Sequence, residues 1–144
     1  MNDIFVLDAC ALIALLAGEP GGDNVKKIIQ DAVDGNAYVK INQINLLEVY
    51  YHLCSVYDQA GADKALKKIK EFPIEIIIGL KEEVFREAGR IKSKYKIPLG
   101  DTILVAECII GKWILVTSDH TDIERIEEAE NIKVNWIREK LNKK

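Results

Sequence analysis

Ile4-Phe-Val-Leu-Asp8-Ala-Cys-Ala-Leu-Ile-Ala-Leu-Leu16 decides how the chain is read. Ile4 to Leu7 is short, wholly apolar and β-prone, as a strand buried on both faces is. Asp8 follows at once, and Ala9 to Leu16 is helix-forming. A strand feeding directly into a helix opens a βαβ unit, and the rest of the chain repeats the alternation. Gly18 to Gly22 reads as a loop. Asp23 caps a helix to about Val33, which Gly35 and Asn36 end. Tyr38 to Ile41 is a second strand. Asn42 caps a long helix reaching about Ala60, with Gly61 as its stop. A lysine-rich helix, Asp63 to Lys70, ends before Pro73, and Ile74 to Ile78 is a third strand. Glu82 to Tyr95 is helical, Lys96 to Gly100 is a loop, and Asp101 opens an apolar helix to Ile110. Trp113 to Thr117 forms a fourth strand. A short helix from about Asp122 to Ala129 and a last strand, Lys133 to Trp136, complete the chain. The expected fold is α/β: one domain over residues 1–144, with a central parallel sheet of about four to five strands and helices on both faces.

Composition agrees with that reading. The chain has 144 residues, 49% of them apolar and 30% charged, which suits one globular core and excludes a disordered tail or a fibrous repeat. No apolar stretch is long enough to span a bilayer, so no membrane partner is expected. The apolar start is cut by Asp8 and no basic residue precedes it, which fits a signal peptide poorly. Cys10, Cys54 and Cys108 form no Cys-x-x-Cys pair. Neither a disulfide framework nor a zinc ribbon is expected, and a reducing cytoplasm is the simplest location. Net charge is −3, against a general nucleic-acid coat. It is uneven: residues 1–61 carry −5, residues 62–96 carry +4 and residues 97–144 carry −2. A basic middle between acidic flanks suits a polyanion held beside a cation, although lysine-bearing helix faces also arise from solvation alone.

The acids carry the chemistry. In parallel α/β sheets, ligands bind beyond the carboxyl ends of the strands, where the strand order reverses. Asp8 directly follows the first strand and Asp119 lies two residues past the fourth. Asp101 opens an apolar helix, and Glu48 sits within Ile44-Asn-Leu-Leu-Glu48-Val-Tyr-Tyr-His-Leu53, sharing a polar stripe with Asn45 and His52. Each has a plainer use. Asp8 and Asp101 are at positions that suit helix caps. Thr121-Asp-Ile-Glu124 matches a capping box, and the stripe around Glu48 can simply face water. Together they are harder to explain that way, because carboxylates gathered near buried structure are costly unless a cation or proton offsets them. Carboxylates without a His or Cys cluster suit Mg²⁺ or Mn²⁺. A carboxylate cage holding one or two such ions is an apparatus for phosphodiester hydrolysis, with no covalent nucleophile required.

Four segments occur in order: Leu7-Asp-Ala-Cys-Ala-Leu-Ile-Ala-Leu-Leu16, Ile44-Asn-Leu-Leu-Glu-Val49, Pro98-Leu-Gly-Asp-Thr-Ile-Leu-Val-Ala106 and Leu115-Val-Thr-Ser-Asp-His-Thr-Asp122. The set resembles the four acidic motifs of the PIN-domain ribonucleases, especially the VapC-type toxins of prokaryotic toxin–antitoxin pairs, and covers nearly the whole chain. The resemblance implies a Mg²⁺- or Mn²⁺-dependent endoribonuclease acting on RNA, restrained by an antitoxin protein. It implies that Asp8, Glu48, Asp101 and Asp119 form the acidic quartet, with Asp122 as an accessory metal-binding acid and Thr117 as the hydroxyl residue of the fourth motif. A homodimer is expected from the resemblance and from the apolar helix surface. Family members commonly place Ser or Thr just after the first Asp, whereas this chain has Ala9 and Cys10. That departure leaves a second reading, a catalytically degenerate RNA- or protein-binding module of the same fold.

Other polar residues are weaker candidates. Cys10 reads as a small buried residue. His52 and His120 are contacts for Glu48 or a phosphate at best. Lys92, Lys94 and Lys96 are positioned to touch an RNA backbone without selecting a base. Tyr50, Tyr51 and Tyr57 read as core or subunit interface, and Trp113 and Trp136 as packing residues. A receiver domain would want an acceptor Asp after a central strand, and the third strand here ends without one. A haloacid-dehalogenase phosphatase would want a second Asp at Cys10. No glycine-rich phosphate loop of the dinucleotide or P-loop type is present.

Overall fold

Period-two alternation in the central strands divides the protein into two apolar layers around one sheet. The computed structural model describes residues 2–140, so both ends of the expected domain, residue 1 and residues 141–144, lie outside the described residues. In order, the elements are β1 (Asp3–Leu7), α1 (Ala9–Ala17), α2 (Gly22–Val33), β2 (Ala37–Asn42), α3 (Gln43–Val56) and α4 (Gln59–Ile69). They continue as β3 (Ile74–Ile77), α5 (Glu82–Lys94), α6 (Leu99–Gly111), β4 (Ile114–Thr117), α7 (His120–Glu130) and β5 (Lys133–Trp136). The strands form one five-stranded sheet in the order β3-β2-β1-β4-β5. Every pairing is parallel; Phe5 lies opposite both Val39 and Ile114.

Leu7 of β1 and Val116 of β4 point into a core shared with α1, α2, α3 and α4, including Leu12, Ile28, Val49 and Leu53. Their neighbours Val6 and Leu115 point the other way, onto Ile91, Leu104, Val105 and Ile126 from α5, α6 and α7. Helices therefore cover both faces, as a parallel sheet requires. The strand order reverses between β1 and β4, which places a crevice at their carboxyl ends.

Several local expectations are corrected. The long helix does not reach Ala60: α3 ends at Val56, Tyr57 is extended, and Asp58 starts α4 by accepting from Gly61 N at 2.8 Å. Gly61 lies inside α4, not at a helix end, and a Cβ there would come 2.9 Å from Tyr57 Cβ. Its missing side chain is what lets the corner between α3 and α4 close. Asp23 does not cap α2, which starts one residue earlier behind Gly21. Asp101 does not cap α6 either; that helix begins after Pro98, and Asp101 sits in its first turn.

Candidate metal centre

Asp8 is placed by two hydrogen bonds that use its two oxygens separately. Oδ1 accepts from Ala11 N at 2.7 Å, capping α1 as expected. Oδ2 accepts from the Thr117 hydroxyl at the end of β4. The same hydroxyl accepts from Asp119 N at 2.9 Å, so Thr117 ties the acid after β1 to the one after β4. Asp8 N also donates to Val116 O at 3.1 Å, which extends the β1–β4 pairing up to the site. Asp119 caps α7 through Asp122 N at 3.2 Å. That leaves the Thr121–Glu124 capping box unused, since Thr121 lies inside the helix.

Asp101, Asp119 and Asp122 each offer a carboxylate oxygen, and these oxygens lie within 4.8 Å of one another. Asp8 and Glu48 are not in that group of three, but both lie close enough to act on it. Burial raises the Asp101 carboxyl to about 7, with the charges of Asp8, Asp119, Glu48 and Asp122 adding to the effect. Asp8 is 4% exposed. Burial raises its carboxyl to about 6, opposed by the bonds from Thr117 and Ala11 and helped by Asp119 and Glu48. Asp122 is also pushed up, by burial and then by Asp119. All five acids named from the sequence therefore converge on one region.

Glu48 reaches the site from α3 because Gly100 leaves room for it. A Cβ on Gly100 would lie 2.6 Å from Glu48 Oε1. That oxygen is buried and has no hydrogen-bond partner among the described residues. Burial raises the Glu48 carboxyl as well.

The donor set fits a hard divalent cation. It consists of oxygen ligands alone, clustered at a spacing that one ion can bridge, with no histidine in the group. Burial and mutual repulsion raise these carboxyls and the Glu48 oxygen has no partner among the described residues, a cost that a bound cation would offset. Asp8 and Asp119 cap α1 and α7 and Asp101 sits in the first turn of α6, and helix N-termini favour anionic groups.

Neighbouring expectations fare differently. Cys10 is exposed, not buried. Partial desolvation of its sulfur, with the negative charges of Asp8, Asp119 and Asp101 nearby, raises its thiol to about 12. His120 turns away from the carboxylates. It stacks on Trp136 with ring centroids 4.0 Å apart and bonds Glu124 and Arg138 O. His52 lines a small apolar cleft with Ile13, Leu16 and Val56 and has no hydrogen bond to Glu48. Lys92 bonds Ile97 O and Lys94 lies 3.5 Å from Glu130, while Lys96 remains exposed. Tyr51 and Tyr57 are exposed and not core, while Tyr50 donates to Asp63. Trp113 and Trp136 are half-buried, as packing residues are.

The polar stripe of α3 does not simply face water: Asn45 is fully buried. In sequence Asn42 reads only as a cap, and Glu107 does not stand out. Asn42, Asn45 and Glu107 form a buried polar network between α3 and α6. The one available signal was a carboxylate set among apolar residues in α6, Leu104-Val-Ala-Glu107-Cys108.

The fold is shared with solved toxin–antitoxin structures at low sequence identity. VapBC from Salmonella typhimurium bound to DNA has a chain that matches with a TM-score of 0.72 at 13% identity, covering 96% of this chain and 100% of that one. VapBC2 from Rickettsia felis, bound to a DNA fragment from its promoter, matches at 0.71 and 17% identity, covering 92% and 97%. VapBC-1 from nontypeable Haemophilus influenzae matches at 0.68 and 17% identity, covering 93% and 98%. Among curated proteins, none matches this sequence. The PIN domain model matches residues 5–129, a span that takes in Asp8, Glu48, Asp101, Asp119 and Asp122, and the chain belongs to the PIN domain family.

Proposed function

We propose that this protein is a Mg²⁺- or Mn²⁺-dependent endoribonuclease, acting as the toxin of a toxin–antitoxin pair. The observation that carries the reading is the meeting of the Asp101, Asp119 and Asp122 carboxylates within 4.8 Å at the point where the strand order reverses. Asp8, Asp101 and Asp119 would hold the principal ion, directly or through water, with Glu48 helping to hold it and orienting the attacking water. Asp122 lies close enough to the other two to share that ion or serve a second one. When bound, the ion would lower the pKa of water and offset charge on the phosphodiester oxygens. Thr117 holds Asp8 in place through its hydroxyl. The substrate would be RNA; Lys96, five residues before Asp101 in the chain, is exposed.

The partner reading draws on the neighbours. Those structures are of VapBC complexes, and by analogy this chain would be restrained by a separate antitoxin. A second copy is also proposed: Ile44, Leu47 and Tyr51 are exposed along one face of α3. Among the described residues no helix is long and apolar enough to cross a membrane. The degenerate binding module rests on Ala9 and Cys10, which lack the hydroxyl that relatives place after the first Asp. The Thr117 bond to Asp8 is compatible with either reading; the carboxylates gathered beside it favour the enzyme.

RNA cleavage with Mg²⁺ or Mn²⁺ tests the proposal. Asp8→Asn should reduce it by more than about 100-fold, the upper end for a residue that merely supports a metal ligand, and a chelator should abolish it. Undiminished, chelator-resistant cleavage by the variant would remove the mechanism.

A further inference from the structure

The acids are carried at α1, α3, α6 and α7, and one buried amide on α3 bonds α1 and α6 right beside their acids. Asn45 is fully buried on α3, one turn before Glu48. Its Oδ1 accepts from Ala9 N, the residue after Asp8, at 3.2 Å. Its Nδ2 donates to the carbonyl of Gly100, the residue before Asp101, at 3.3 Å. The same Nδ2 lies 2.9 Å from Asn42 Oδ1, which also accepts from Asn45 N at 2.7 Å. Asn42 in turn donates to Glu107 Oε1 at 2.7 Å, in the middle of α6. The apolar packing does not supply this link. Leu46, Val49 and Leu53 of α3 pack in the cluster with α1, whereas Leu104, Val105 and Cys108 of α6 pack in the other.

We propose that Asn45 is a positioning residue for the acidic cluster, setting the spacing of Asp8, Glu48 and Asp101 and so the affinity of the site for a divalent cation. This rests on the metal-dependent reading above. An amide carries an acceptor and two donors on one planar group, which is what Ala9 N, Gly100 O and Asn42 Oδ1 require. A carboxylate would offer no donor, and an alanine would leave Ala9 N without its acceptor in a buried site and cut the tie to Gly100 O. Glu107 and Asn42 hold the amide from behind.

Mn²⁺ binding by titration calorimetry on the full chain tests this, with thermal unfolding read alongside. Asn45→Ala should bind Mn²⁺ about 10- to 100-fold more weakly than wild type, the range for groups that orient metal ligands. Asn45→Ser, whose single hydroxyl cannot span Ala9 N and Gly100 O together, carries the same readout should the alanine variant fail to fold. Glu130→Gln, remote from the cluster, controls for lowered stability and should bind Mn²⁺ as wild type does. Wild-type affinity in a folded Asn45 variant would overturn the assignment and leave the metal-dependent reading intact. A wild-type protein that binds no Mn²⁺ would overturn that reading itself, and this assignment with it.

Discussion

Gly100 shows how a single atom can set a site. The space its Cβ would occupy, 2.6 Å from Glu48 Oε1, is filled by the end of a flexible side chain and not by backbone. An added methyl would therefore displace the carboxylate and spare the fold. Gly100→Ala should leave the melting temperature within a few degrees of wild type, helped by the better helix propensity of alanine in the first turn of α6. RNA cleavage should fall by about 10-fold or more, as expected for a lost supporting contact at a metal site. Wild-type cleavage in this variant would show that Glu48 has no need to approach Gly100. At this scale the sequence was partly informative. Asp8, Glu48, Asp101 and Asp119 stood out because carboxylates beside apolar runs are costly. Asn45 did not, because nothing in the order of residues shows that Ala9 and Gly100 will come to rest on either side of it.

Elements explain how those residues are delivered. The short apolar β-prone runs of β1 and β4 and the caps Asp8 and Asn42 are local properties, and both are legible in sequence. The corner between α3 and α4 is not. Val56-Tyr57-Asp58 contains no Gly or Pro, and Gly61, which reads as a stop, works inside a helix by clearing Tyr57. The α6 start misleads for a similar reason: Asp101 looks like a cap, yet the helix begins after Pro98 and leaves the carboxyl free for the cluster. Away from the site, α5 is clasped to α7 by Glu130. Its carboxylate accepts from Arg90 at 2.6 Å and Tyr95 at 2.6 Å, and these hold it down to about 2. Glu130→Ala removes both bonds, Arg90 keeping only Glu87, and should cost about 1–2 kcal/mol, a fall of roughly 2–8 °C in melting temperature. Cleavage per folded molecule should be unchanged. An unaltered melting temperature would mean that the clasp is incidental.

Across the whole molecule, the order β3-β2-β1-β4-β5 follows from right-handed crossovers moving outward on both sides of β1. That topology brings residues more than a hundred positions apart, Asp8 and Thr117, into hydrogen-bond contact. Alternation of strands and helices made the fold class legible in sequence. The strand order came from packing, and with it the placement of Asp122 alongside Asp101 and Asp119. The exposed apolar face of α3 belongs to this scale too. Sedimentation at micromolar concentration should show a dimer, and a monomer throughout would contradict the proposed second copy.

The central claim is that these carboxylates share a cation. A crystal soaked in Mn²⁺ and measured for anomalous scattering tests it most directly. The account predicts a peak about 2 Å from carboxylate oxygens of Asp101, Asp119 or Asp122, with Asp8 beside it. A saturating soak that leaves this crevice without a peak, or puts the metal elsewhere, would contradict it.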